Sequence, residues 1–457
     1  MAGIGFELKK FLSKESYLGT LGAYGFAGLV CSGPWLLSIA TILMLSFIAN
    51  WAKLSPEISR SFQVMVVYII AGSLILTSVL QHTFTRYIAN LCYLSKQSKI
   101  IPSLNSVYLV LIVVAAMVCT LLVNLLTPSL PMPTKCLMVS SFIVISLIWI
   151  STSLLSAILA YKTILFAFLS NFIVAIAISM HTYQDGLQGL LFSFLCGQFV
   201  LLMVLIYTIY HEFPTNQLID FNFFKLKGVS KMLIFTGLFY NLAIWVDKFI
   251  FWYSPVTGLP VIGHLHASLV YDFPIFFAYL LSIPGMTVFL LNLETNYTDA
   301  HQRFFHSICG DSTLDEIQHD YIDLIDAGRL SILSSIKAQS LMLFIFLIVG
   351  SLIFIKCQLP LIYLPITLVC LLASSLNVVL WSTLDIIFYL DRVKEALIVT
   401  AVFTFSNALF TWVSIQLGMF YYGFGLVASL LLSITLGFLL LNKAGKHLQY
   451  ETYMVKN

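Results

Sequence analysis

Apolar residues run along this chain in stretches of about twenty, the length a helix needs to cross the hydrocarbon of a bilayer, broken by short clusters of charge, proline, glycine and asparagine. Twelve stretches reach that length: 18–50, 62–80, 104–126, 137–160, 164–180, 187–210, 232–253, 269–291, 338–355, 361–390, 396–418 and 421–441. In lipid a backbone has to satisfy its own hydrogen bonds, so such stretches are helices. The pattern predicts an all-α polytopic membrane protein with about 12 transmembrane helices.

The most polar central break, 212–231, holds Pro214 and three lysines and leaves six stretches on each side. It predicts an N-terminal six-helix bundle over 1–211, a cytoplasmic linker over 212–231 and a C-terminal six-helix bundle over 232–457. Duplicated halves with a substrate path at their interface are a recurrent transporter plan, although no residue-level repeat joins these two.

Composition agrees. Of the 457 residues 60% are hydrophobic and 9% charged, and the mean hydropathy is +0.97, where a soluble chain carries about 25% charged residues. An even number of spans puts both termini on one side. That side collects 18 of the Lys and Arg residues, while Lys53, Arg60, Lys135 and Lys356 are the 4 on the other. The positive-inside rule therefore predicts cytoplasmic N- and C-termini. In a bacterial cell this is a multi-pass protein of the inner membrane.

Several functions are excluded. A net charge of +3 is too small to argue for nucleic acid, and no phosphate-binding G-x-x-x-x-G-K-[ST] stretch occurs. The outer loops run to about 15 residues at most, too short for the external domain of a sugar polymerase, and no internal loop could hold a nucleotide-sugar domain. The eight cysteines have no C-x-x-C spacing and fall mostly in apolar runs. His264 and His266 form an isolated H-x-H in the outer loop. No catalytic group, metal site or cofactor is expected.

The remaining candidates lie in three places. Asp247 and Lys248 in the seventh span and Asp272 in the eighth are charges inside the membrane, each costing roughly 2.5 to 3.5 kcal/mol on insertion scales unless something solvates it. Neighbours on a helix point in different directions, so Lys248 is expected to meet Asp272, at similar depth on the next span, more readily than Asp247. With Tyr271 these residues either pin two helices or line the outward half of a wet cavity. Asp385 is close enough to the inner face to be interfacial. Gly33-Pro34 in the first span, and Pro274 and Pro284 in the eighth, mark either close packing or hinged, cavity-lining helices.

The inner loop 292–337 holds eight of the 20 acids and has a local balance of −5. Leu314, Ile317, Tyr321 and Leu324 recur at helical spacing, so 312–330 reads as an amphipathic helix. An acidic helix is repelled by an anionic leaflet, unlike the basic helices that lie on lipid. Its Leu314, Asp315, Glu316, Ile317, Asp320, Tyr321, Asp323 and Leu324 are therefore expected to dock a partner protein, the alternative being a solvated connector.

Four strings carry a resemblance: the opening Met1-Ala-Gly-Ile-Gly-Phe-Glu-Leu-Lys-Lys, Cys31-Ser-Gly-Pro-Trp, Ile244-Trp-Val-Asp-Lys-Phe-Ile-Phe-Trp, and Tyr271-Asp-Phe-Pro-Ile-Phe-Phe-Ala-Tyr-Leu. Together they resemble the Pel exopolysaccharide transporter (PelG) family, end to end. The resemblance implies the fold of the multidrug/oligosaccharidyl-lipid/polysaccharide (MOP) flippase superfamily. It also implies export of a polymer rich in N-acetylgalactosamine and galactosamine into a biofilm matrix. The partners it implies are a cytosolic glycosyltransferase and membrane subunits that include a cyclic di-GMP sensor. It carries over no transport residues. An ion-coupled drug or lipid-linked oligosaccharide flippase of the same fold, and a membrane scaffold that does not transport, remain as alternatives.

Overall fold

The computed structural model describes residues 17–158, 160–215, 217–225, 231–310, 312–356 and 358–454. The opening decamer lies outside them, as do Lys9, Lys10, Lys14, Lys227 and Lys456 of the charges counted above. The described chain is almost entirely helical. In order it forms α1 Tyr17–Trp51, α2 Pro56–Tyr93, α3 Ile100–Leu126, α4 Met132–Ala157, α5 Tyr161–Thr182, α6 Leu187–Glu212, a single turn α7 Asn222–Lys225, and α8 Lys231–Tyr253. A hairpin of β1 Leu259–Ile262 and β2 Leu265–Ala267 follows, then α9 Leu269–Leu281, α10 Ile283–Asn292, α11 Thr298–Cys309, α12 Leu314–Lys356, α13 Leu364–Tyr389, α14 Val393–Leu417 and α15 Phe424–Met454. Among the described residues, twelve helical stretches are long and apolar enough to cross a membrane, with Leu269–Cys309 counting as one.

Helix ends follow local chemistry. Proline occupies the first turn of α2, α4 and α13, where its missing N–H costs nothing. Gly418, with φ +99°, ends α14 in a conformation that a side chain would strain. Within the spans, serine and threonine hydroxyls donate back to the carbonyl one turn earlier, as Ser32 does to Gly28 at 2.7 Å and Thr41 to Leu37 at 2.8 Å. That is how so many small polar residues sit buried in an apolar bundle.

The chain divides into two compact units. The first comprises Gly33–Trp245 and Trp252–Ser268. Its core has one cluster around Phe84, Ile148, Leu154, Leu201 and Phe223 and another around Phe62, Met65, Phe142 and Phe194. The connection between α8 and α9 forms an antiparallel hairpin. Leu265 and Ala267 join the second cluster, His264 N–H donates to the Leu126 carbonyl at 2.7 Å, and Tyr68 donates to the His266 carbonyl at 3.0 Å.

The second unit comprises the described residues up to Ser32, Val246–Phe251 and everything from Leu269 onward. The described part of the connection 292–337 is mostly helical. The 43 residues of α12 extend about 65 Å at 1.5 Å per residue, roughly twice the hydrocarbon thickness, so its acidic N-terminal half lies beyond the apolar run. Its start is a capping box: Thr313 N–H donates to Glu316 at 2.8 Å while Glu316 N–H donates to the Thr313 hydroxyl at 3.4 Å.

Candidate transport site

Three of the charged and aromatic residues singled out in the sequence come together inside the second unit. Asp247 and Lys248 on α8 form an ion pair, Nζ to Oδ1 3.2 Å. The expectation that adjacent residues diverge too far is thus corrected, because the four-carbon lysine stem curls back over the turn. Tyr271 on α9 donates to the other carboxylate oxygen at 2.6 Å. Lys248 Nζ also lies 5.3 Å from the centre of the Tyr279 ring, a cation–π distance. Asp247 and Tyr271 are 0% exposed and Lys248 8%, so protein groups surround the pair on nearly every side. Aromatic packing fixes the phenol: the Tyr271 ring stacks on Phe251 at 3.9 Å and 5°, and Phe251 meets Tyr422 edge-on at 5.3 Å. Asp272, one residue on, is half-buried.

Gly33 and Pro34 lie within an uninterrupted α1, where a Cβ on Gly33 would come 2.7 Å from Leu165 of α5. Pro274 is accommodated inside α9, while Pro284 stands in the first turn of α10, just past the break between α9 and α10. That break frees carbonyls at membrane depth, which are tolerated where protein re-satisfies them. Ser282 N–H turns to the Tyr279 carbonyl at 3.2 Å. The Ala278 carbonyl accepts from Ser374 at 3.0 Å instead. The Ser282 carbonyl accepts from Gln339 Nε2 at 2.6 Å, and the Gln339 oxygen accepts from Ser375 at 3.2 Å. A Cβ on Gly285 would lie 2.3 Å from Gln339 Nε2, so only glycine leaves room for this brace.

The acidic helix is used differently from expectation. Ile317 and Leu324 are 7% and 1% exposed, and Tyr321 donates to the Gly445 carbonyl of α15 at 2.9 Å and packs on Phe304. These side chains were expected to contact a partner; the chain's own helices take them up, and Leu314, 73% exposed, is the member left outside. Asp320 accepts a short hydrogen bond from Ser307, Glu316 caps its own helix, and Asp323 meets Arg303 at 3.7 Å. Asp315 is exposed.

Three features escaped the sequence reading. Gln339 is a single amide in an apolar run, a signal that was available. Tyr297, His301 and Tyr389 cluster edge to face around a π-helical turn, Leu293–Tyr297, where no spacing announces the extra residue. Near the start of α2, Arg60 has its Nε and one Nη buried without a hydrogen-bond partner among the described residues.

Several solved transporters share the fold at low identity. A MATE transporter in its straight conformation is 11% identical with a TM-score of 0.63, over 93% of this chain and 96% of that one. The Vibrio cholerae MATE transporter VcmN in its bent form is 10% identical with a TM-score of 0.59, over 94% and 98%. A MOP superfamily transporter from Pyrococcus furiosus, described as having reversed binding-pocket polarity, is 13% identical with a TM-score of 0.57, over 93% and 96%. No curated protein matches the chain. The model of the PelG family, described as putative exopolysaccharide exporter, matches residues 1–453. Twelve spans, a MOP transporter fold and a family match over nearly the whole length lead to one conclusion: the chain belongs to the PelG family of exopolysaccharide exporters, membrane transporters and not enzymes.

Proposed function

We propose that this protein exports a Pel-like polysaccharide, rich in N-acetylgalactosamine and galactosamine, across the bacterial inner membrane during biofilm matrix formation. Both termini and the acidic helices lie in the cytoplasm in this reading, and the β1–β2 hairpin faces outward. A cytosolic glycosyltransferase passes the nascent chain to the transporter, in a complex with membrane subunits that include a cyclic di-GMP sensor. The observation that carries the reading is the exporter-family match over residues 1–453, and the split of 18 to 4 basic residues supports the orientation.

Within this reading, Asp247, Lys248 and Tyr271, with the half-buried Asp272, are the polar groups that the glycan meets when the transport cavity opens. Gly33-Pro34, Pro274 and Pro284 are the positions about which the helices bend. The acidic face of α12, with Asp315 and Leu314 at its exposed end, receives the basic surface of the glycosyltransferase. The test is export by a deletion strain carrying plasmid-borne variants, read as extracellular polymer with a lectin specific for N-acetylgalactosamine. Lys248→Ala present at normal protein level is expected to lose secreted polymer without changing drug susceptibility. Unchanged polymer with altered drug susceptibility would favour the drug-exporting alternative instead. Impermeant reagents against single cysteines in each loop test the orientation, and labelling of residue 315 from outside intact cells would reverse it.

A further inference from the structure

The described residues between α6 and α8 form a strap pinned to the first unit. Thr215 donates to the Ser98 carbonyl at 2.9 Å, Asn105 Nδ2 to the Leu218 carbonyl at 2.8 Å, and Ser106 to the Asp220 carbonyl at 2.6 Å. Asp220 N–H donates to the Pro102 carbonyl at 3.0 Å. Phe223, 3% exposed, plugs between Phe84 and Tyr87 at 5.4 and 5.3 Å. Pinned in this way, the strap leaves four large apolar side chains outside: Leu218 is 74% exposed, Ile219 49%, Phe221 46% and Phe224 43%. Four such groups in seven residues are costly in water.

Depth and charge identify what covers them. The strap's hydrogen bonds fall on residues 98 to 106, within about 9 Å of the first residue of α3, where the apolar run of that span begins. That is the level at which hydrocarbon gives way to headgroups. Exposed Tyr207 and Tyr210 stand at the same end of the unit, as interfacial aromatics do. Exposed Lys96 and Lys231, with half-exposed Lys99, add positive charge there, the complement of an anionic lipid surface.

We propose that the strap is an interfacial anchor. Leu218, Ile219, Phe221 and Phe224 enter the boundary between headgroups and acyl chains, and Lys96, Lys99 and Lys231 hold anionic phospholipid headgroups. The inference rests on the membrane-spanning fold and, for calling the leaflet the inner one, on the orientation proposed above. Depth can be measured without knowing the side, so failure of one leaves the other intact.

The experiment places p-acetylphenylalanine at Phe221 or Phe224 of the full chain, attaches a nitroxide to the ketone, and reconstitutes the protein in vesicles of phosphatidylcholine, with or without phosphatidylglycerol. Relaxation by oxygen is expected to exceed relaxation by an aqueous nickel chelate several-fold at both positions. The excess should grow with phosphatidylglycerol, and the same label at Asp315 should show the reverse. Lys96→Gln, Lys99→Gln and Lys231→Gln together should abolish the dependence on phosphatidylglycerol while leaving the depth in place. Labels at 221 and 224 as open to the nickel chelate as the label at 315 would overturn the proposal. So would labels shielded from both relaxants, because a second copy or a protein partner would then cover the strap. Labelling the same ketones with an impermeant hydroxylamine from outside cells reads only the side, and therefore tests the orientation separately.

Discussion

Two sets of charges in the second unit look alike in the sequence and are physically opposite. Asp247 and Lys248 pair at 3.2 Å with Asp247 wholly buried. Arg303 and Asp323 pair at 3.7 Å, and Arg329 and Asp326 at 3.4 Å, on side chains 40 to 67% exposed. In the first case the alternative to the partner is hydrocarbon, so geometry is enforced by the cost of leaving either charge alone. In the second the alternative is water and counterions, which screen the pair to roughly 0 to 1 kcal/mol. The same residue types thus build a fixed buried element and an adaptable charged surface, and the surrounding dielectric decides which.

The largest effects should come from breaking the buried set unevenly. Asp247→Ala or Lys248→Ala alone is expected to cost about 3 to 5 kcal/mol, because the remaining charge is stranded, whereas the double variant recovers much of that loss. Thermal unfolding of the purified protein in detergent checks the order. A double variant no more stable than either single one would mean that the pair does not act as a unit. Tyr271→Phe removes a hydrogen bond to a charged acceptor and should cost about 1.5 to 3 kcal/mol.

A smaller loss is expected where neutral groups replace charged ones in the same low dielectric. Gln339→Ala strands the Ser282 carbonyl and should cost about 1 to 3 kcal/mol. Gly285→Ala places a methyl against the Gln339 amide for a similar loss by overpacking. Combining the two should cost less than their sum, since the shorter residue 339 clears the space. Strict additivity in unfolding measurements would sink the brace.

Next in size is the start of α12. Thr313→Ala removes the cap and should cost about 0.5 to 2 kcal/mol, read as faster amide exchange confined to the first turn of that helix.

The smallest effects on stability belong to the surface set. Asp323→Asn and Asp326→Asn should each change it by less than about 1 kcal/mol. The proposed docking gives this surface a different readout. Asp315→Lys with Asp323→Lys should leave the protein inserted and stable while the co-purifying glycosyltransferase is lost. Wild-type amounts of transferase on that variant would make the acidic helix a connector only.

Much of the fold was legible in one dimension. Runs of about twenty apolar residues have one stable form in a bilayer, so the number and helical nature of the spans followed from length and hydropathy alone. Lys/Arg counts carried the orientation argument, and the strings around Cys31, Ile244 and Tyr271 pointed to the family. Asp247, Lys248 and Tyr271 were also visible, because charge inside an apolar run is conspicuous. Their pairing was not. Which partner a long lysine stem reaches depends on what excludes water on every side, and that is a property of packed helices. The same holds for Ile317, Tyr321 and Leu324, whose apolar stripe specifies burial but not against what: α11 and α15 supply the surface. Gln339 and the strap plugged by Phe223 make the point for polar groups, since a freed carbonyl takes whichever donor the tertiary fold brings within hydrogen-bond distance. Sequence sets what each segment has to bury or satisfy; only the assembled helices decide with whom.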